Sequence, residues 1–196
     1  MAILKAEILT EVNQNLGRAE TDIDVEIRDV LYDLSSRDNF LLNSSLAGVT
    51  TDSVAYISLP DDFKELKSIV LNDGSQDGDP LTKITWEEYL QNISGSPSDS
   101  EPEHYVIHND LIWLEPNPDG EYTVKMYFWR YHTSAITTIL FPEQFRKCIN
   151  AGVTAAVAAS FQLDDEAKWA SKYEYQIRIR QSNLIKDPII NKYHDL

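Results

Sequence analysis

The feature that most constrains the fold is a four-residue apolar period between Phe141 and Asn183. Its first half places an apolar residue at every fourth position: Phe145, Ile149, Val153, Val157 and Phe161. Gly152 and a run of alanines keep most of the remaining surface small. The period predicts an α-helix, and the small side chains predict that other helices approach it closely.

A second helix is predicted to follow and to complete a helical hairpin over residues 136–185. Asp164 is placed to cap it, and the acidic residues of its first turn suit the positive end of the helix dipole. The helix is predicted from about Asp165 to Leu184, and Pro188 follows as a stop. The one cysteine, Cys148, has no histidine beside it, so we predict a packing residue rather than a nucleophile.

Two further amphipathic helices are predicted at the N-terminus. The first spans residues 2–16 and ends at Gly17, a left-handed stop, and its apolar residues are Leu4, Ile8, Val12 and Leu16. The second ends near Ser36, and Thr21 with Asp24 resembles a capping box at its start. Its apolar stripe consists of Ile23, Ile27, Val30, Leu31 and Leu34. Residues 1–49 are therefore predicted to be a helical hairpin followed by a packed loop at 37–51.

Between the two hairpins the apolar period changes from about four to two, which predicts a β insertion over residues 50–135. Strands are predicted at 54–59, 66–71, 104–108, 111–115 and 121–131, with the second returning as a hairpin through 81–84. Thr85 and Glu88 form a capping box for a short helix. The last strand has two partly apolar faces, so it is either central or packed under a neighbouring subunit.

The predicted fold class is α+β. The two helical hairpins, N-terminal and C-terminal, are expected to form one helical bundle. The β insertion is expected to be mainly antiparallel, and residues 186–196 are expected to form an extended C-terminal arm. A disordered tail is the alternative for that arm, although it is more apolar than a solvated tail requires.

The negative net charge of the chain argues against some classes of function. The chain has 32 acidic and 17 basic residues, a formal charge of −15, whereas proteins that seek nucleic acid present a basic face. The glutamates within residues 2–18 do not suit a secretory signal, and no run of about 18 apolar residues predicts a membrane span. A single cysteine cannot form an internal disulfide.

No catalytic, cofactor or metal site is predicted, so the chain is not expected to be an enzyme. His104 and His108 lie four apart in a predicted strand, which separates them by roughly 13 Å, too far to share one metal. The loop at residues 73–79 copies only the first half of a calcium loop, since its twelfth position is Ile84. A metal-dependent hydrolase and a small-ligand binding module are the disfavoured alternatives.

The order of several segments carries a family resemblance. These segments are ILTEVNQNLGR, DIDVEIRDVLYDLSSRDNF, LPDDFKELKSIVL, IWLEPNPDGEYTVKMYFWRY and FPEQFRKCINAGVTAAVAASFQLDDEAKWASKYE. Together they cover most of the chain, and their order resembles the head-to-tail adaptor, or connector, proteins of tailed bacteriophages, a family that includes neck and tail tubular ring proteins.

The resemblance implies a structural protein of the virion neck, between capsid and tail, assembled in the host cytoplasm. It implies a homo-oligomeric ring, commonly a dodecamer, beneath the phage portal protein. Its partners would be the portal, a tail tube, nozzle or tail terminator protein, and double-stranded DNA that passes non-specifically during genome ejection, with no membrane. The alternative is another neck or tail component, such as a tail-completion or tail tube terminator protein.

Carried onto this chain, the resemblance assigns the helical hairpins to the wall of the DNA channel and the β insertion to the tail. The arm resembles the extensions with which adaptors grip the portal, and its candidate docking residues are Lys186, Asp187, Pro188, Ile189, Ile190, Asn191, Lys192, Tyr193 and His194. Twelve copies would carry a formal charge of −180 (12 × −15). A negative channel would repel phosphate and let DNA pass without sticking.

Overall fold

A computed structural model of the chain describes residues 2–50, 54–72, 77–95, 99–132 and 136–186. Within these ranges the helices are α1 (Lys5–Leu16), α2 (Asp24–Arg37), α3 (Trp86–Ser94), α4 (Arg146–Ser160) and α5 (Glu166–Lys186). The strands are β1 (Ala2–Leu4), β2 (Leu42–Val49), β3 (Tyr56–Ser58), β4 (Phe63–Asn72), β5 (Asp77–Pro80), β6 (Thr82–Lys83), β7 (His104–His108), β8 (Leu111–Glu115), β9 (Thr123–Arg130) and β10 (Thr138–Pro142).

The predicted fold class, a helical bundle of two hairpins with one inserted β region, is wrong. The described part is α+β with five helices and three mostly antiparallel sheets, and it contains more sheet than a helical bundle. The sheets have the strand orders β1-β10, β2-β9-β4-β5 and β3-β8-β7-β6. The chain divides into a helical unit, Met1–Leu41 with Tyr131–Leu196, and a β unit, Leu42–Arg130.

In the helical unit, α4 is the central element. Helices α1, α2 and α5 all pack against it, and within the described residues α1 and α2 contact α4 far more than each other. Both N-terminal helices are therefore held mainly by α4, whose small side chains leave room for them. The pairing of α4 with α5 is as predicted, and α5 lies within two residues of its predicted bounds.

The helical unit also contains a small sheet where helix was predicted. Residues 2–4 form β1, which pairs antiparallel with β10, so the helix expected from Phe141 begins only at Arg146 after one 3₁₀ turn. Ile3, Ile139 and Phe141 are almost completely buried. Strand pairing bonds the backbone of these segments while their side chains fill the helical core.

The apolar stripe of α2 is buried throughout, as predicted, and Gly17 ends α1 with a left-handed φ of 62°. Thr21 does not cap α2, because the carboxylate of Asp22 accepts the hydrogen bond from the Asp24 N–H instead. Phe161 is 44% exposed rather than buried, since α4 ends one residue earlier. Its ring packs under the Arg18 guanidinium at 4.0 Å.

In the β unit, β9 lies between β2 and β4, which confirms the prediction of a central strand. Val124, Met126 and Phe128 of β9 share a core with Ile112 and Leu114 of β8 in the other sheet. The predicted loop at 37–51 instead contains β2. Its sequence LNSSLAGV has no clean period, so pairing with β9 makes it a strand.

The predicted hairpin after β4 is present, but the strand that returns along β4 is β5 rather than residues 81–84. Strand β6, at Thr82–Lys83, instead pairs parallel with β7 in the other sheet. Strands β7 and β8 have their predicted bounds. They join at Asn109 and Asp110, whose φ angles of 52° and 59° suit a tight hairpin turn. The capping box of α3 is also confirmed, with Thr85 and Glu88 exchanging backbone and side-chain hydrogen bonds.

Candidate functional site

The predicted docking arm falls almost entirely outside the described residues. Lys186 is the last residue of α5. The other candidates, Asp187, Pro188, Ile189, Ile190, Asn191, Lys192, Tyr193 and His194, lie in the part of the chain that the structure does not describe. Their role in docking stays a prediction.

The two histidines tested for metal binding have separate environments on β7. His104 Nδ1 lies 3.1 Å from Glu115 Oε2, whereas the His108 ring stacks on Trp86 with centroids 4.0 Å apart. Among the described residues no group of three or more His, Cys, Asp and Glu could hold a metal ion. Most of the calcium-like loop, residues 73–76, lies outside them.

Cys148 is fully buried in α4, as a packing residue should be. Burial raises the pKa of its thiol to about 12. The thiol therefore keeps its proton at neutral pH, and a protonated thiol is a poor nucleophile.

One charged cluster ties α1 to α4 in the helical unit. Arg146 makes ion pairs with three carboxylates, at 2.6 Å to Glu11, 3.2 Å to Glu7 and 3.3 Å to Glu143. The Glu11 carboxylate also accepts a hydrogen bond from the Asn150 amide. Hydrogen bonding to Glu11 is the main cause of the raised pKa of Arg146. The cluster lies in an open groove lined by α1 and Arg146, and its ion pairs link α1 to α4.

A second cluster ties α2 to α5. The Arg37 guanidinium pairs with Asp33 at 2.8 Å and with Glu174 at 2.7 Å. The buried Tyr173 hydroxyl donates to Asp33 at 2.9 Å. The hydrogen bond to Asp33 is the main cause of the raised pKa of Arg37. Each of these four side chains has a charged or hydrogen-bonding partner within the helical unit, so this cluster also stabilises the packing of α2 on α5.

The β unit carries a row of aromatic rings that we call the aromatic ladder: Tyr56, Trp113, Trp86 and His108. The ring centroids are 5.1 Å apart from Tyr56 to Trp113, 5.8 Å from Trp113 to Trp86 and 4.0 Å from Trp86 to His108. The planes of Trp86 and His108 differ by only 8°. The row crosses β3, β8 and β7, with Trp86 contributed by α3.

The ladder is only partly covered by protein. Tyr56 is 47% exposed, and Trp86, His108 and Trp113 are half-buried. Three further apolar side chains are exposed on α3 and just before β3, and we call them the apolar rim: Val54, Leu90 and Ile93. This site could not be predicted from the sequence, because the register of β3 on β8, which sets Tyr56 opposite Trp113, is not visible in either strand alone.

Charge is unevenly divided between the units. The β unit has 16 acidic and 5 basic residues, a net charge of −11, whereas the helical unit has 16 acidic and 12 basic, a net charge of −4. In the described part, no helix combines the length and apolarity needed to cross a membrane.

A family model described as SU10 adaptor protein matches residues 3–188. No curated protein matches the chain significantly.

Proposed function

The chain belongs to the SU10 adaptor protein family, a family of phage head-to-tail adaptors, and we propose that it forms a ring beneath the portal that extends the DNA channel and receives the tail. Membership makes it a bacteriophage structural protein that interacts with other head and tail proteins in the virion neck. The match over residues 3–188 is the single observation that carries the proposal.

The proposed ring contains twelve copies and lets double-stranded DNA pass without specific binding. The helical unit would form the wall, and a wall of units with a net charge of −4 each would repel phosphate. The β unit, with a net charge of −11, would face the tail. Residues 186–196 would grip the portal.

The test is to mix the purified protein with its portal and to image the particles by electron microscopy. We expect a closed ring at one end of the portal. A shortened chain that ends at Lys186 is the matched variant, because it keeps all of α5 and lacks the rest of the arm. We expect it to fold, by circular dichroism, and to lose portal binding.

Three outcomes would contradict the proposal in different ways. Absence of a ring with the full chain contradicts the adaptor position beneath the portal. A ring that binds isolated tail tubes but not portals supports a tail-completion or tail terminator protein instead. Normal portal binding by the shortened chain contradicts only the role of the arm.

A further inference from the structure

Helix α3 packs on the sheet without covering all of the aromatic ladder. Tyr89 already anchors α3 to the sheet, since it is 3% exposed and its ring lies 5.1 Å from Trp86 and 5.9 Å from Trp113. The outer rings and the apolar rim remain accessible, with exposed fractions of 47% at Tyr56 and 45% at Leu90. A row of contacting aromatic rings that stays accessible, with further exposed apolar side chains on the same elements, is typical of a binding site for another molecule.

The charges of the β unit decide which molecule suits that surface. Exposed aromatic rings can stack nucleic-acid bases, but such sites pair them with a positive groove for the backbone. Here Glu87 follows Trp86 directly, Asp110 lies in the turn after His108, and both side chains are exposed. A unit with a net charge of −11 would repel phosphate and attract a positively charged partner.

We propose that the aromatic ladder and its apolar rim bind a segment of a tail protein that presents arginine or lysine side chains between apolar ones. The cations would lie over the ring of Tyr56, which is 47% exposed, because the aromatic quadrupole attracts them. Their aliphatic stems would cover the apolar rim, and the exposed acids beside the ladder would pair with their charged ends. This inference rests on the proposed function only for the identity of the partner as a tail protein.

The first experiment measures binding by the full-length chain, labelled with ¹⁵N, to an eight-residue peptide that alternates arginine and leucine. The matched control peptide alternates glutamate and leucine. The chain has four tryptophans, so the indole N–H signals report the site directly. We expect the arginine peptide to shift the signals of Trp86 and Trp113, and to leave those of Trp129 and Trp169 unchanged.

Substitutions then test the contacts. Tyr56→Ala removes an exposed ring of the ladder, and Glu87→Lys reverses a charge beside it, so each should weaken peptide binding about fivefold or more. Tyr175→Ala is the matched control, because Tyr175 is 63% exposed and belongs to the helical unit. It should leave the affinity unchanged. Retention of the remaining amide signals shows that each variant is folded.

The outcomes separate this inference from the proposed function. Equal binding of the glutamate peptide, equal shifts at all four tryptophans, or unchanged affinity in Tyr56→Ala would each overturn it. So would a concentration-dependent shift of the Trp86 signal without peptide, since a second copy would then occupy the site. Tyr56→Ala should still form rings on the portal, whereas failure of the unsubstituted chain to form them contradicts the adaptor position alone.

Discussion

Gly152 sets the distance between three helices. A Cβ atom at this position would lie 2.8 Å from Val30 Cγ1 and 2.8 Å from Tyr173 Cε2, closer than carbon atoms approach without a shift. Val30 belongs to α2 and Tyr173 to α5, so both helices touch α4 at the same residue. Neither neighbour can move freely, since both side chains are buried.

We therefore expect Gly152→Ala to lower the free energy of unfolding of the helical unit by about 1–3 kcal/mol, the usual cost of overpacking. Urea unfolding followed by circular dichroism would measure it. Gly120→Ala is the control, because a Cβ there meets no atom within 4 Å. Equal stability of Gly152→Ala and the unsubstituted chain would show that the helices can separate without cost.

Because the Cys148 thiol is buried, the free energy of unfolding is expected to fall as the pH rises above 9. The folded-state pKa of the thiol is raised from 9.0 to about 12, so between these values the unfolded chain binds fewer protons than the folded one. Stability gained from the protonated thiol is thus complete below pH 9 and falls as pH rises, by up to about 1.4 kcal/mol per pH unit. We expect Cys148→Ala to show a shallower decline in chemical denaturation from pH 9 to 11. Parallel declines would contradict the raised pKa.

At the scale of elements, the stability of α3 depends on two hydrogen bonds at its first turn. Thr85 Oγ1 accepts the Glu88 N–H at 3.2 Å, and Glu88 Oε2 accepts the Thr85 N–H at 2.7 Å. These bonds from Thr85 lower the pKa of Glu88. Trp86, the residue after Thr85, stacks on His108.

Thr85→Ala should cost the β unit about 1 kcal/mol of stability, the usual value for a lost cap. Thr85→Ser keeps the hydroxyl and should keep most of the stability. Thermal unfolding of the two variants would measure the difference. If both variants lose the same amount, the hydroxyl is not what stabilises α3.

At the scale of the whole molecule, the β unit is a continuous segment with its own core. Ile69, Ile112, Met126 and Phe128 are all fully buried within it. We expect a fragment of residues 42–130 to unfold cooperatively on heating, as a protein with a complete core does. Dispersed amide signals and a single thermal transition would verify this. A fragment without either would show that its folding requires the helical unit.

Several elements of both units follow from sequence patterns. The buried stripe of α2, the stop at Gly17, the hairpin of β7 and β8 and the cap of α3 each depend on residues close together in the chain. Strands β1 and β2 and the aromatic ladder could not be predicted in this way. Each of them depends on a partner strand far away in sequence, since β1 pairs with β10 and β2 with β9.

By itself the sequence determined the helical period between Phe141 and Asn183, the central β9, the negative charge and the resemblance to phage adaptors. Tertiary structure alone decided that α1 and α2 pack on α4 and that the described strands form three sheets. It also decided that four aromatic rings form one row: Tyr56, Trp113, Trp86 and His108. The physical reason is the separation, along the chain, of the residues that each signal involves. Period, capping and turn signals act over a few residues, whereas register and packing depend on which distant surfaces fit together.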